Sequence, residues 1–254
     1  MITGRGLYDF ILLSWIVLAF VTFWLLTKVT VPYGRYVKST WGPLINHRQA
    51  WMIMESASPI SFVYFFLNGD GIKTAVTWVF LFAWIIHYFN RSIIFPIRAK
   101  MNGRQMPILI MAVSILFNGV NGYLNGYYLG NLSSPYPLNW FVDIRFVTGV
   151  FLFLAGMLIN INADKILIDL RKPGTLEHNI PQDGLYHWIT CPNYFGEIIE
   201  WCGFAIMTWS LPGFSFALWT AANLLPRAAA HHAWYQEHFS DYPQDRKAVI
   251  PFLW

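Results

Sequence analysis

Long uncharged runs dominate the hydrophobic pattern of this chain. They cover residues 10–27, 74–90, 105–142, 146–163 and 201–226. Each run is close to, or longer than, the ~17 to 25 residues that a helix needs to span a bilayer. Hydrophobic residues make up 56% of the 254 residues and charged residues only 12%, against roughly 25% in an ordinary soluble domain. The pattern therefore predicts an all-α integral membrane protein.

Seven transmembrane helices account for these runs. Their predicted spans are about 8–28, 50–68, 73–95, 106–130, 146–164, 195–211 and 213–236, with Pro212-Gly213 as the turn between the last two. All of the 17 Lys and Arg residues except Arg5, Lys73 and Arg145 then fall on one side of the membrane. Positive charge accumulates on the cytoplasmic side, so we expect the N-terminus outside and the C-terminus in the cytoplasm.

Several ionisable residues must lie inside the predicted spans. The uncharged run 56–68 is too short to cross ~30 Å at 1.5 Å per residue, so the second span includes Glu55. The same length argument places four further residues in the last two spans: Glu197, Glu200, Arg227 and His231. A charge at the centre of a span costs ~2.5 to 3.5 kcal/mol and usually faces a cavity or a partner. We therefore predict a polar chamber that opens to the cytoplasmic side.

Helical spacing groups the polar residues into stripes, because residues three or four apart share a helix face. The stripes are Tyr88 with Arg91, Asn160 with Asp164, Asn193 with Glu197 and Trp201, and Arg227 with His231 and Tyr235. Interfacial anchoring explains any single stripe as well as a binding site does, but their convergence favours a binding chamber. Glu200 lies about 60° around the helix from Glu197. This position is equally compatible with two roles, pairing with a cation or contact with a cofactor.

Other patterns predict packing or exclude sites. Gly122, Gly126 and Gly130 form a row that predicts close helix packing more readily than a substrate groove. Cys191 and Cys202 lack metal-type spacing, so neither a disulfide framework nor a metal site is expected. The net charge of +4 is explained by membrane topology, and we expect no nucleic-acid partner. Because no G-x-G-x-x-G or G-x-x-x-x-G-K-[ST] motif is present, any nucleotide would have to be held by side chains of the helices.

A series of motifs, densest over residues 143–254, carries a resemblance to a known family. In order they are DIRF, GVFLFLAGMLINI, LRKPG, IP-Q-x-GL, N-Y-x-GEIIEW, TWSLP and DYP-x-x-RKA-x-IPF. Weaker matches upstream are Tyr33-Gly34, Ala50-Trp51, Glu55, and His87-Tyr88-Phe89 followed by Arg91. Through these motifs the chain resembles the steroid 5-alpha-reductases, which are NADPH-dependent 3-oxo-5-alpha-steroid 4-dehydrogenases.

The resemblance implies a seven-helix membrane enzyme that binds NADPH in its cytoplasmic half, beside a steroid that enters from the bilayer. The implied cofactor-binding set is Tyr33, Arg91, Arg104, Asn160, Asp164, Arg171, Asn193, Glu197, Trp201, Arg227, His231 and Tyr235. Glu55 and Tyr88 are implied as the pair that holds the 3-keto group of the substrate. The expected organisation is one membrane domain over 1–254, in which 1–105 supplies the substrate-site residues and 106–254 the NADPH site.

The implied reaction is reduction of the C4–C5 double bond of a 3-oxo-4-ene steroid such as testosterone or progesterone. Hydride passes from NADPH to C5, while Tyr88, supported by Glu55, donates a hydrogen bond to the 3-keto oxygen. We expect a monomer surrounded by lipid, in the inner membrane of a bacterial host or the endoplasmic reticulum of a eukaryotic one. Two alternatives are a membrane methyltransferase of the isoprenylcysteine type, whose C-terminal architecture is similar, and a non-enzymatic sterol-binding or transport protein.

Overall fold

The computed structural model describes residues 4–31, 42–99, 101, 103–170 and 179–254. Two predicted site residues, Tyr33 and Arg171, lie outside the described residues. Within them the protein is mostly helical, and each of the predicted spans coincides with a helix to within a few residues at most of its ends. The periodic apolar runs therefore located the helices correctly.

The helices are, in chain order, α1 (Gly4–Leu26), α2 (His47–Leu67), α3 (Ala75–Phe89), α4 (Phe95–Arg98), α5 (Ile108–Tyr127), α6 (Ile144–Leu170), α7 (Pro192–Thr208) and α8 (Leu211–His238). A π-helical turn, Asn90–Ile94, joins α3 to α4, and a second, Tyr128–Leu132, extends α5. Two 3-10 turns, Leu138–Val142 and Gly184–His187, precede α6 and α7.

Among the described residues, five helical segments are long and apolar enough to cross a membrane. They are Gly4–Leu26, His47–Leu67, Ala75–Arg98, Ile108–Leu132 and Ile144–Leu170. Their outer surfaces expose large apolar side chains such as Phe10 and Leu158, which are 65% and 68% exposed, as expected of surfaces that face lipid. The structure thus supports a multi-pass membrane protein with five such segments, while α7 has 17 residues and α8 carries several polar residues in its C-terminal half.

A small sheet adds to the predicted all-helical architecture. Strands β1 (Leu44–Asn46) and β2 (Gln105–Pro107) pair in antiparallel fashion, with Ile45 opposite Met106. They lead directly into α2 and α5, which pack along each other. Three-residue strands leave no periodic signal in the sequence, and their pairing depends on the contact between the two helices.

The boundary between α7 and α8 differs from the prediction. The chain turns at Trp209, which adopts a left-handed conformation with φ of 44°, and at Ser210, whose hydroxyl accepts a hydrogen bond from the amide of Gly213. Pro212-Gly213 therefore lies in the first turn of α8 and is not the break. Proline is tolerated there because the first amides of a helix have no partner within it.

The glycine row of α5 packs directly against α2, as predicted. A Cβ atom added at Gly122 or Gly126 would lie 2.4 Å from the carbonyl oxygen of Ser58 or Phe62, respectively. Helices α6 and α7 approach equally closely through Gly156 and Gly196, where a Cβ at Gly196 would lie 2.6 Å from the carbonyl oxygen of Gly156. These contacts bring the polar stripes of α6 and α7 together.

Candidate active site

A polar cleft lies where the π-turn after α3, the C-terminal part of α6, the start of α7 and the C-terminal half of α8 meet. It encloses about 1100 Å³ of empty space, counting its open mouth. Eight predicted residues line it: Arg91, Arg104, Asp164, Asn193, Glu197, Arg227, His231 and Tyr235. The four elements come from distant parts of the chain, so part of each predicted stripe converges here, while Tyr88, Asn160 and Trp201 do not line the cleft.

Arg91 connects the two carboxylates of the cleft. Its guanidinium group lies 3.1 Å from Oδ2 of Asp164 and 3.9 Å from Oε2 of Glu197. The same group lies over the rings of Trp51 and Phe95, at 5.2 Å and 4.8 Å from their centroids. The π-turn contributes to this geometry: Phe95 donates its amide to the carbonyl of Asn90, and Pro96, which has no amide hydrogen, prevents a regular α-helical pattern.

Two asparagines join α6 to α7 beside these carboxylates. Asn193 donates from Nδ2 to Oδ1 of Asp164 at 3.1 Å. Asn160 is buried and donates from Nδ2 to the carbonyl of Asn193 at 2.9 Å and to Oε2 of Glu197 at 3.4 Å. Asn160 thus supports the cleft wall from behind, and the orientation of both carboxylates is fixed by the α6–α7 contact.

The stripe on α8 lines the same cleft. Two of its residues contact a tyrosine of α7 that the sequence pattern did not predict as a site residue. The hydroxyl of Tyr194 accepts a hydrogen bond from Nε of Arg227 at 3.2 Å and lies 3.2 Å from Nε2 of His231. Tyr235 is buried and stacks on Tyr242, with ring centroids 5.3 Å apart. The signal for Tyr194 was its position beside Asn193, in the first turn of a helix that carries an inward-facing carboxylate.

Further lining residues also lacked a clear signal in the sequence. His47, Met101, Thr190 and Cys191 contribute to the wall, together with Trp51 and Phe95. His47 donates its amide to the carbonyl of Arg104 at 3.1 Å, so the strand region brings Arg104 to the cleft. Neither cysteine forms a disulfide, in line with the prediction: Cys191 is buried at the cleft wall and Cys202 is exposed.

Glu55 and Tyr88 do not line this cleft, contrary to the single chamber that the sequence predicts. Tyr88 is 3% exposed and donates its hydroxyl to Oδ1 of Asn118 at 3.3 Å. Glu55 lies within electrostatic reach of Tyr88 and of the Arg91 guanidinium group. The side chain of Tyr88 lies in the core between the helices, whereas that of Arg91, three residues later, lines the cleft. Two adjoining centres therefore replace one chamber, because Tyr88 on α3 and Arg91 on the following π-turn point in different directions.

Trp201 and Glu200 also lie away from the cleft. The indole of Trp201 is 1% exposed and packs against Trp84 and Phe216, with centroids 4.9 Å and 4.4 Å away. Glu200 contacts Nδ1 of His87 through Oε1 at 2.8 Å, and both side chains are buried. The structure thus places Trp201 in the aromatic core and pairs Glu200 with an imidazole, which answers the question that helical spacing left open.

The side chains of the cleft fit a dinucleotide. Three arginines and an imidazole suit phosphate groups, because guanidinium groups form charge-assisted and often bidentate hydrogen bonds with phosphate oxygens. The carboxylates and amides of Asp164, Glu197 and Asn193 can bond to ribose hydroxyls and to a carboxamide. Aromatic rings of Trp51 and Tyr194 offer stacking surfaces. No glycine-rich loop is needed for this mode of binding.

The fold and site define a multi-pass helical membrane protein with a polar cleft that adjoins a buried tyrosine centre. The family model described as 3-oxo-5-alpha-steroid 4-dehydrogenase matches residues 104–254. The chain therefore belongs to the steroid 5-alpha-reductase family and is an oxidoreductase.

Individual relatives match over nearly the whole chain. The chain is 38% identical to the steroid 5-alpha-reductase DET2 of Gossypium hirsutum over 100% of both chains. It is 40% identical to the 3-oxo-5-alpha-steroid 4-dehydrogenase 1 of Bos taurus over 93% of both chains. The corresponding human protein is 40% identical over 87% of this chain and 85% of its own length. The similarity thus includes the N-terminal helices that carry Glu55 and Tyr88.

Proposed function

We propose that this enzyme uses NADPH to reduce the C4–C5 double bond of 3-oxo-4-ene steroids to 5-alpha-3-oxosteroids. The observation that carries the proposal is the placement of Tyr88 and Arg91, three residues apart at the end of α3. One faces a buried centre with a hydroxyl donor and the other faces a cleft rich in phosphate-binding groups. A ketone and a dinucleotide could therefore bind side by side. Membership of the family decides against the methyltransferase and transport alternatives.

The reduction adds a hydride to C5 and a proton, from solvent or a nearby acid, to C4. When bound, the reduced nicotinamide supplies the hydride and is itself oxidised. Tyr88 donates a hydrogen bond to the 3-keto oxygen, on which negative charge develops as hydride arrives at C5. Glu55 lies within electrostatic reach of Tyr88, and we assign it a supporting role for this donor. The buried rings of Trp84, Trp201 and Phe216 exclude water from this centre.

The cofactor would be held by the cleft residues. We assign its binding to Arg91, Arg104, Asn160, Asp164, Asn193, Glu197, Arg227, His231 and Tyr235, together with Tyr33 and Arg171 outside the described residues. Trp201, which the resemblance also implies, lies in the aromatic core and would act only indirectly, through its packing against Trp84 and Phe216. Cations of the cleft bind the phosphates, and a preference for NADPH over NADH requires at least one of them at the 2'-phosphate.

The proposal includes the full topology. We propose that α7 and α8 also span the membrane, giving seven spans in a monomer with the N-terminus outside and the C-terminus in the cytoplasm. The cleft then opens to the cytoplasm, where NADPH is present, and the substrate enters from the lipid. Labelling of single cysteines introduced at each terminus, in sealed vesicles of known orientation, tests this arrangement. A C-terminus labelled from outside contradicts it.

The central experiment incubates membranes that contain the full chain with NADPH and a panel of 4-ene-3-oxosteroids, with products identified by mass spectrometry. The expected result is a gain of two hydrogen atoms with 5-alpha stereochemistry. Tyr88→Phe and Glu55→Gln should lower turnover by about 10²- to 10³-fold while NADPH binding is retained. Tyr136→Phe is the matched control, because Tyr136 is also a buried tyrosine and donates to a carbonyl oxygen, that of Thr208, at 2.7 Å. Full turnover in both site variants contradicts the assigned roles.

A further inference from the structure

A chain of hydrogen bonds runs through the buried centre and includes Tyr88. The indole Nε1 of Trp84 donates to Oγ of Ser58 at 3.1 Å, and the Ser58 side chain lies within hydrogen-bonding reach of Tyr88. The Tyr88 hydroxyl donates to Oδ1 of Asn118 at 3.3 Å. Nδ2 of Asn118 donates in turn to the carbonyl of Met54 at 2.8 Å. The chain thus connects α3, α2 and α5.

The direction of every bond in this chain is determined by its two ends. An indole N–H can only donate, so Ser58 accepts from Trp84 and has its own proton available for Tyr88. A backbone carbonyl can only accept, so Asn118 must turn its NH₂ group to Met54 and its oxygen to Tyr88. A tyrosine hydroxyl has one proton. That proton therefore points at Asn118.

Burial makes this arrangement persistent. Trp84 and Ser58 are fully buried, and Tyr88 and Asn118 are 3% and 5% exposed. Water cannot easily replace Asn118 as the acceptor, and an unpaired donor at this depth would be costly. The Tyr88 proton becomes available only when another acceptor enters the centre.

We propose that Asn118 holds the proton of Tyr88 until the ketone oxygen of the substrate replaces it as acceptor. The inference rests on the proposed role of Tyr88 as donor to the 3-keto group. Substrate binding is then an exchange of one hydrogen bond for another, reached by rotation of the hydroxyl about its C–O bond. Asn118 is a positioning residue that lowers the affinity for the ketone, and Ser58 is one that raises it. Ser58 strengthens Tyr88 as a donor because bonds in a chain polarise one another.

The test measures equilibrium binding of two radiolabelled steroids, a 4-ene-3-oxosteroid and its 3-deoxo analogue, to full-length protein in membranes. NADP⁺ is present, so that no reduction occurs. Asn118→Leu should raise the affinity for the 3-oxosteroid by about 2- to 10-fold, the range expected for one net hydrogen bond. Binding of the 3-deoxo analogue should not change, because it needs no proton from Tyr88. The carbonyl of Met54 keeps a donor in this variant, since the helical pattern pairs it with the amide of Ser58.

Two controls separate positioning from structure. Asn125→Leu removes another buried asparagine of α5, one that donates to the carbonyl of Asn121 and has no bond to Tyr88, and it should alter neither steroid selectively. In a Tyr88→Phe background, Asn118→Leu should have no selective effect. Equal changes for the two steroids, or a selective effect that persists without the Tyr88 hydroxyl, would overturn the inference.

A second variant, which should weaken binding of the 3-oxosteroid, tests the proposal if the Asn118→Leu protein does not accumulate. Ser58→Ala should weaken binding of the 3-oxosteroid by about 2- to 10-fold and leave the 3-deoxo analogue unchanged; an unselective or absent effect contradicts the proposal. Failure of the underlying function is recognised separately. If Tyr88→Phe alone binds the 3-oxosteroid as tightly as the unaltered protein does, Tyr88 is not the ketone donor, whatever Asn118 does.

Discussion

Nδ1 of His87 lies 2.8 Å from Oε1 of Glu200, and the two side chains join α3 to α7 inside the protein. The imidazole also packs against Tyr88 and Trp201, with ring centroids 5.0 Å and 4.5 Å away. The pair therefore stands between the helix that carries the proposed ketone donor and the helix that carries Glu197. Its geometry sets the position of α3 relative to α7.

Removal of one member of this pair should destabilise the protein strongly. His87→Leu leaves the carboxyl group of Glu200 buried without its partner, and such changes cost about 3 to 5 kcal/mol. The double variant His87→Leu/Glu200→Leu should recover most of the loss. Thermal unfolding of the purified protein in detergent measures both effects. Lys165→Ala is the control: its i,i+4 pair with Asp169 is exposed, and its removal should cost no more than about 0.5 kcal/mol. Similar losses of stability on breaking the buried and the exposed pair would contradict a special role of the buried pair.

Arg91→Lys should weaken cofactor binding although it preserves the charge. Lysine cannot contact Asp164 and Glu197 in the geometry of a guanidinium group, nor stack as well over Trp51 and Phe95. We expect the KM for NADPH to rise by about 10-fold or more, as for loss of one charge-assisted hydrogen bond. Steady-state kinetics with varied NADPH measure it. Arg98→Lys, at an exposed position on α4, should leave the KM unchanged, and an equal rise there would exclude a specific role of Arg91.

Gly126→Ala should force α2 and α5 apart. The added methyl group would lie 2.4 Å from the carbonyl oxygen of Phe62, which belongs to the backbone and cannot move alone. Overpacking of this kind costs about 1 to 3 kcal/mol, which should appear as a lower unfolding temperature and reduced turnover. Gly119→Ala on the same helix meets nothing within 4 Å. It should be neutral or stabilising by about 0.5 to 1 kcal/mol, because alanine favours a helix. Equal losses in the two variants would show that helix packing is not the cause.

Asp143, which directly precedes α6, should make the stability of the protein depend on pH in the acid range. Hydrogen bonds from the side chain and amide of Arg145 lower the pKa of the Asp143 carboxyl group from 3.8 to about 2. A lowered pKa in the folded state stabilises the protein above the unfolded value, and this contribution is lost as pH falls through the folded value. The difference in unfolding temperature between the unaltered protein and Asp143→Asn should therefore be constant from pH 7 to about 4 and shrink toward pH 2. A difference that changes between pH 7 and 5 would contradict this origin.

The sequence by itself determined the helices and the residues that they carry. Uncharged runs of spanning length located α1, α3, α5 and α6. The length argument located α2, and it correctly placed Glu197 and Glu200 on α7 and Arg227 and His231 on α8. The spacing of three to four residues predicted that the polar stripes converge, although Tyr88 and Trp201, which it also assigned to the chamber, lie away from the cleft. These features depend on local periodicity and on the cost of charge in lipid, and both can be read along the chain.

Only the tertiary structure decided which neighbour each side chain meets. The pairing of Glu200 with His87, the contact of Asn118 with Tyr88, and the separation of Tyr88 from the cleft depend on how each helix is rotated and on what packs opposite it. The break at Trp209 and Ser210 depends on capping geometry, which overrode the turn signal of Pro212-Gly213. Contacts between residues 30 to 113 positions apart leave no periodic trace in the sequence, because they are selected by the packing of whole helices.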